Sequence, residues 1–255
     1  TVKINTDFLY RCIEAFRGIA NLSRAIPHQH YFSMPTLSND HLAIRVNLKG
    51  AELSSVISRK SEIEYIWQAD PNFWGRHAPV LFPIVGRLKE DQYTFLGETY
   101  SMKQHGLARN LDFVQVDEDK GLAFILSSDE ETEKSYPFSF EFKTQYELEE
   151  NRLTIHHEVR NKWQIEMFFA LGAHPDFNVP MGGQGIYEDY EIYFENSETL
   201  DRYLLEGGLY TGETRRDLTN SHVLPLTGDM FARAAIVFQR FDSNSIVLRS
   251  KLHDH

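Results

Sequence analysis

The sequence predicts an all-β protein built from antiparallel strands. Many of its segments are short and rich in aromatic or β-branched residues, and several of them alternate apolar and polar side chains. Turn signals such as Gly97, Gly182 and Gly207 separate these segments. Long helical patterns are almost absent. Many short strands with short turns favour either a sandwich or a barrel.

The first 35 residues differ from the rest and are predicted to form a helical extension with a linker. Between Thr6 and Ala20, apolar residues recur at spacings of three and four, as on one face of a helix. Thr6 or Asp7 can cap this helix through a side-chain oxygen. Residues 21–35 contain two prolines and form the predicted linker. The β-rich domain then covers residues 36–255.

The predicted strands begin after this linker. Four examples are Leu42–Asn47, Leu122–Ser127, Phe138–Leu148 and Arg152–Val159. In the third, Phe138, Phe140 and Phe142 fall on one face, as expected for a strand that is buried on one side. His156 and His157 are neighbours on the fourth strand, so their rings face opposite sides of the sheet. The acidic stretch Asp129–Glu133 is predicted to be a solvated loop.

Composition excludes several classes of protein. Hydrophobic residues make up 42% and charged residues 25% of the 255 positions, which is typical of globular proteins. The net charge of −11 argues against binding to a nucleic-acid backbone. The single cysteine, Cys12, cannot form an internal disulfide and fits a reducing compartment. No apolar run approaches membrane-spanning length and no secretion leader is recognisable, so we expect a cytoplasmic protein that does not bind membranes.

Several familiar site motifs are absent from the sequence. It contains no G-x-S-x-G, no G-x-x-x-x-G-K-[ST], no G-x-G-x-x-G and no H-E-x-x-H. The eleven histidines show no recognisable metal-ligand spacing away from the two chain ends. We therefore expect no metal site.

Ionisable residues stand within strongly apolar surroundings in two regions. One comprises Trp74–Leu88 and the following Gln104–Arg109, and the other is Met167–Pro180. In the second, His174 ends an apolar strand and precedes a proline. Such a histidine either projects into a pocket or satisfies buried backbone groups near the turn, and the spacing alone leaves both alternatives open.

These regions resemble the aldose 1-epimerase (galactose mutarotase) superfamily, and within it the branch of bacterial mutarotase-related proteins. The matching positions are Trp67, Trp74, Pro79–Arg87, Tyr93–Tyr100, His105–Arg109, Val159–Asn161 and Gly172–Pro180. They follow one another in family-like order and spacing from about residue 37 onward. The resemblance implies an antiparallel β-supersandwich.

The resemblance also implies a reaction, the interconversion of the α and β anomers of an aldose. A base removes the proton of the C1 hydroxyl while an acid protonates the ring oxygen, and the ring opens, rotates and closes again. Imidazole suits proton transfer near neutral pH, and no cofactor is needed. By resemblance, His174 is the general acid, and His105 hydrogen-bonds the ring oxygen or a neighbouring hydroxyl.

Four further residues are substrate-binding candidates by resemblance. Arg87 would anchor sugar hydroxyls through its several donors, and Arg109 would line the pocket. Trp74 and Phe177 would pack against the C–H face of the sugar. For Arg109, Trp74 and Phe177, a supporting role in the core is the alternative. The expected partner is a small sugar, either a hexose or a hexose phosphate.

The sequence departs from the family pattern in two places. The family's base is a glutamate in an apolar–Glu–Pro–Trp segment, yet no glutamate follows Glu213. Ala234 also stands where relatives often have an acidic sugar ligand before the strand Ala235–Phe238. We therefore expect the domain to lack the family's last strands, and an exposed sheet edge would favour a homo-oligomer. The alternative function is a carbohydrate-binding or regulatory protein without catalysis.

Overall fold

The computed structural model describes residues 2–5, 12–13, 34–230 and 235–252. The strands within these ranges are β1 (Val2–Asn5), β2 (Cys12–Ile13), β3 (Thr36–Ser38), β4 (Leu42–Asn47), β5 (Glu52–Ser58), β6 (Val80–Leu81), β7 (Gln92–Phe95), β8 (Glu98–Ser101), β9 (Val114–Val116), β10 (Leu122–Ser127), β11 (Phe140–Glu149), β12 (Arg152–Asn161), β13 (Gly172–Ala173), β14 (Tyr190–Glu206), β15 (Leu209–Pro225), β16 (Ile236–Phe238) and β17 (Ser245–Ser250). The α-helix α1 (Glu130–Glu133) is one turn long. The 3-10 turns are Lys89–Asp91, Ala108–Asn110, Met181–Gly183 and Tyr187–Asp189. The predicted all-β class is confirmed.

The chain divides into two compact units, Ile26–Pro175 and Thr1–Ala25 with Asp176–His255. In the first unit, β3, β4 and β5 form one antiparallel sheet, and β12, β11, β10 and β9 form another in that order. The strands β7 and β8 form a hairpin, and β6 pairs with β13. The predicted boundary between an extension and a domain at residue 35 stays a prediction.

The core of the first unit is aromatic, as the period-two pattern predicts. Phe138, Phe140 and Phe142 are all buried. The ring of Phe82, which follows β6, lies 5.2 Å from that of Phe140 and 4.9 Å from that of Phe142. Burial of each such ring removes a large apolar area from water, which stabilises the fold by about 2–3 kcal/mol per side chain. Phe82 therefore anchors β6 against the four-stranded sheet.

The second unit is built on the long antiparallel pair of β14 and β15. Register shifts interrupt this pair at four points, so its ladder is irregular. The other edge of β14 pairs with β17 and, further along, with β16. The strands β1 and β2 extend the sheet on β17 and β16 respectively.

The stretch Asp129–Glu133 is not a loop but contains α1, because the Asp129 carboxylate accepts from the Thr132 N–H and the Thr132 hydroxyl accepts from the Asp129 N–H. The helix predicted over Thr6–Ala20 lies outside the described residues, except that Cys12 and Ile13 form β2 instead. Ala234 also lies outside them. No helix in the described ranges has the length and apolarity required to cross a membrane.

Candidate active site

Three sequence segments meet around β6 in the first unit. The strand β6 pairs with β13, and the next residue after β13, His174, donates its N–H to the carbonyl of Pro79 at 3.1 Å. At the other end of β6, Phe82 forms a parallel bridge with Gly106. The strand therefore places His174 and the residues around His105 on neighbouring backbone segments.

The backbone fixes His105 in an unusual conformation. Its φ is +66°, in the left-handed region that residues other than glycine rarely adopt. The His105 N–H donates to the carbonyl of Gly86 at 2.8 Å, and the Gly86 N–H donates to the ring Nδ1 at 3.1 Å. Because Nδ1 accepts a hydrogen bond, the neutral ring holds its proton on Nε2. This Nε2 lies 3.3 Å from the side-chain amide nitrogen of Gln104, and the residue is only 4% exposed.

Gly106 makes this turn sterically feasible. Its φ is +75°, and a Cβ at this position would lie 2.2 Å from the carbonyl oxygen of Phe82. The same oxygen accepts the N–H groups of Leu107 and Ala108 at 2.9 and 3.1 Å. Only glycine permits this close approach, so the chain segment holding His105 is locked against β6.

His174 lies close to His105 and to an indole ring. The two imidazole centroids are 5.9 Å apart in an edge-to-face arrangement. The ring of Trp74 stacks on His174 with its centroid 5.7 Å away. His174 is 8% exposed, whereas Trp74 is 36% exposed. Two buried imidazoles thus adjoin a partly exposed aromatic ring.

The two predicted arginines differ in their environment. Arg87 is exposed and forms a two-pronged ion pair with Asp91, with Nε–Oδ1 at 2.9 Å and Nη2–Oδ2 at 3.2 Å. This hydrogen-bonded pairing raises the pKa of Arg87 and lowers the pKa of Asp91. Arg109 donates from Nη2 to the carbonyl of Gln104 at 2.9 Å. The structure thus gives Arg109 a contact that supports the turn before His105.

Phe177 lies in the second unit, three residues after His174 along the chain, and is half-buried. The residue assignments for catalysis and sugar binding remain predictions. No group of three or more His, Cys, Asp or Glu side chains in the described part of the chain is arranged to hold a metal ion.

Sequence reasoning missed Glu52, the first residue of β5. This carboxylate is buried and pairs with Arg76, with Oε2–Nη2 at 2.6 Å. The available signal was a charge opening the otherwise uncharged strand Glu52–Ser58. Its contacts lie in the segment that precedes β6.

A family model described as aldose 1-epimerase matches residues 34–229. The protein LacX of Lactococcus lactis subsp. lactis, in its plasmid form, is 32% identical over 226 residues, which are 84% of this chain and 75% of LacX.

Two solved structures are similar in both sequence and fold. A galactose mutarotase related enzyme from Lactobacillus acidophilus is 37% identical with a TM-score of 0.81, and the match covers 87% of this chain and 75% of that one. A galactose mutarotase-like protein from Lactobacillus casei is 32% identical with a TM-score of 0.80, with coverages of 87% and 77%. Both likenesses support the predicted sandwich architecture.

Proposed function

Because the chain belongs to the aldose 1-epimerase family, we propose that it is an isomerase that interconverts the α and β anomers of a free aldose. The observation that most supports this function is the buried pair of His105 and His174 beside the partly exposed ring of Trp74. This group lies within the residues that match the family model.

In the proposed reaction, His174 protonates the ring oxygen of the sugar while a water molecule or another carboxylate takes the proton of the C1 hydroxyl. His105 donates from Nε2 to the same oxygen or to a neighbouring hydroxyl, since its Nδ1 already accepts from Gly86. The ring opens, the C1–C2 bond rotates, and the reverse transfers close the other anomer. The two histidines therefore supply the proposed proton donor and a hydrogen-bond donor for the sugar. The apolar–Glu–Pro–Trp segment of the expected base has no match in the printed sequence.

The substrate we propose is a neutral hexose. Trp74 offers it an aromatic face, and Arg87, Arg109 and Phe177 are the further proposed contacts. A phosphate would need arginine donors. Arg87 is paired with Asp91, and the Arg76 side chain is paired with Glu52. These carboxylates already neutralise both guanidinium groups, so an uncharged sugar fits the surroundings better than a hexose phosphate.

The test is the rate of mutarotation of α-glucose and α-galactose, followed by polarimetry at neutral pH. The rate should rise in proportion to protein concentration, and His174→Ala should lower it by about 10²–10⁴-fold through loss of the general acid. His156→Ala, at an exposed histidine of β12, is the matched control and should leave the rate unchanged. Sugar binding with no rate above that of the buffer would instead indicate a carbohydrate-binding or regulatory protein.

A further inference from the structure

We propose that Glu52, acting through Arg76, is a positioning residue. It holds the loop between Trp67 and Pro79, which carries Trp74, in place against the two histidines. This role rests on the proposed epimerase function for its effect on turnover. Its effect on geometry can be measured without turnover.

Glu52 gathers donors from three consecutive residues of that loop. Its Oε1 accepts the N–H groups of His77 at 2.7 Å and Ala78 at 3.1 Å. Its Oε2 accepts from Arg76, at 3.0 Å from Nε and 2.6 Å from Nη2. The carboxylate is 4% exposed, and removing its charge from water is costly unless such donors compensate. Four hydrogen bonds to one short segment fix the path of that segment.

Arg76 extends this link to the segment after His105. Its Nη2 donates to the carbonyl of Arg109 at 2.7 Å, and its Nη1 donates to Oδ1 of Asn110 at 3.2 Å. Both acceptors belong to the 3-10 turn that begins two residues after Gly106. The ion pair with Glu52 therefore joins β5, the loop and the turn behind His105.

The loop reaches His174 from both of its ends. Trp74, two residues before Arg76, stacks on the imidazole of His174. Pro79, directly after Ala78, accepts the His174 N–H through its carbonyl. A shift of the loop would change the ring contact and the backbone contact of His174 together. A misplacement of about 1 Å can lower a reaction rate by about 100-fold, so this fixation matters for catalysis.

The direct test uses Glu52→Gln in a Trp163→Phe background. The amide keeps an acceptor for the N–H groups of His77 and Ala78, but it presents a donor to Arg76 and breaks the ion pair. Because protonated imidazole quenches a stacked indole, Trp74 fluorescence should fall as pH decreases from about 8 to about 5, the range in which histidine ordinarily titrates. Trp74→Phe in the same background leaves only Trp67, so its fluorescence gives the signal to subtract. We expect Glu52→Gln to lose at least half of the pH-dependent quenching.

Kinetics provide the second readout. Glu52→Gln should lower kcat by about 10- to 100-fold with KM changed less than about threefold, since the loop misorients His174 more than it removes sugar contacts. Arg76→Gln should have a similar effect. The double variant should be no worse than either single variant, because the residues act as one unit. Glu64→Gln is the matched control, since Glu64 is a half-buried carboxylate of the same unit whose hydrogen bonds include the N–H groups of Val56 and Ile66.

The outcomes separate the two proposals. Suppose that the wild type has no epimerase activity but Glu52→Gln still loses the pH-dependent quenching. That result would support the positioning role and contradict the proposed function. Wild-type quenching and kcat in folded Glu52→Gln and Arg76→Gln would overturn the positioning role. If Glu52→Gln does not fold, the result for Arg76→Gln alone decides whether the positioning role holds. This variant keeps the hydrogen bonds that the His77 and Ala78 N–H groups donate to Glu52. Equal losses in Glu64→Gln would also overturn the proposal, since they would indicate general destabilisation.

Discussion

At the scale of single residues, the backbone strain at His105 is the most informative feature. A non-glycine residue in the left-handed region costs about 1–3 kcal/mol and persists only when its surroundings impose it. Here Gly86 binds both the N–H and the ring of His105, and Gly106 packs against Phe82. Strain at a buried ionisable side chain is typical of functional positions, which agrees with the proposed role of His105.

Replacing Gly106 by alanine tests this interpretation of the turn. The new Cβ would lie 2.2 Å from the carbonyl oxygen of Phe82, so either the turn or β6 must move. We expect a loss of at least about 2 kcal/mol in the free energy of unfolding, measured by urea denaturation. Gly97→Ala is the matched control, since Gly97 also has a positive φ but open space around its Cα. Equal losses for the two variants would contradict the steric account.

His157 makes a separate prediction about pH. Burial and the neighbouring His156 lower the pKa of His157 to about 4, and its Nδ1 lies 3.0 Å from the Thr144 hydroxyl. The unfolded chain binds the proton more readily, so His157 contributes full stability above about pH 6.5 and loses it as the pH falls towards 4. The loss is about 3 kcal/mol.

The measurement compares urea denaturation at pH 7 and pH 4.5 for the wild type and His157→Gln. The substitution should flatten the pH dependence, because it removes the buried group that must become charged. His156→Gln, on the opposite face of β12, removes only the smaller cause of the lowered pKa and should flatten the pH dependence less. An unchanged pH dependence in His157→Gln would show that other groups cause the acid sensitivity.

At the scale of elements, the period-two patterns predicted strands well. The bounds of β4 and β10 agree with the prediction, and the third and fourth predicted segments correspond to β11 and β12 with small shifts at their ends. Strands of this kind are encoded locally, since each needs only an alternation of faces and a turn at either end.

The loop between Trp67 and Pro79 could not be predicted in the same way. Its path depends on Glu52, which is 24 residues distant from Arg76 in the sequence, and on the carbonyl of Arg109, 33 residues beyond Arg76. No local pattern encodes such pairings. The likeness to a known family predicted that His105, His174 and Trp74 contribute to one sugar site, but it did not predict the ion pair of Glu52 and Arg76.

The one-turn helix α1 gives a prediction at this scale. Asp129→Ala removes the side-chain acceptor for the Thr132 N–H and should lower the free energy of unfolding by about 1 kcal/mol in a urea titration. Glu130→Ala, within the same turn but outside the capping pair, should have a smaller effect. No loss in Asp129→Ala would mean that the cap does not stabilise this turn.

At the scale of the whole molecule, charge favours a neutral substrate. The net charge of −11 opposes the approach of a dianionic sugar phosphate, and carboxylates pair with Arg76 and Arg87. We expect kcat/KM for glucose 6-phosphate to be at least about 10-fold below that for glucose at low ionic strength. Salt should narrow this difference. A higher kcat/KM for the phosphate would contradict the proposed substrate class.

The most direct test of the proposed epimerase activity is exchange NMR on an equilibrium mixture of galactose anomers. Cross-peaks between the two anomeric protons measure their interconversion without a change in net composition. We predict cross-peaks that grow with the concentration of the wild-type protein and vanish to the buffer level in folded His174→Ala. Cross-peaks equally strong in His174→Ala, or absent for the wild type with both galactose and glucose, would contradict the assignment of His174 as the acid of an aldose 1-epimerase.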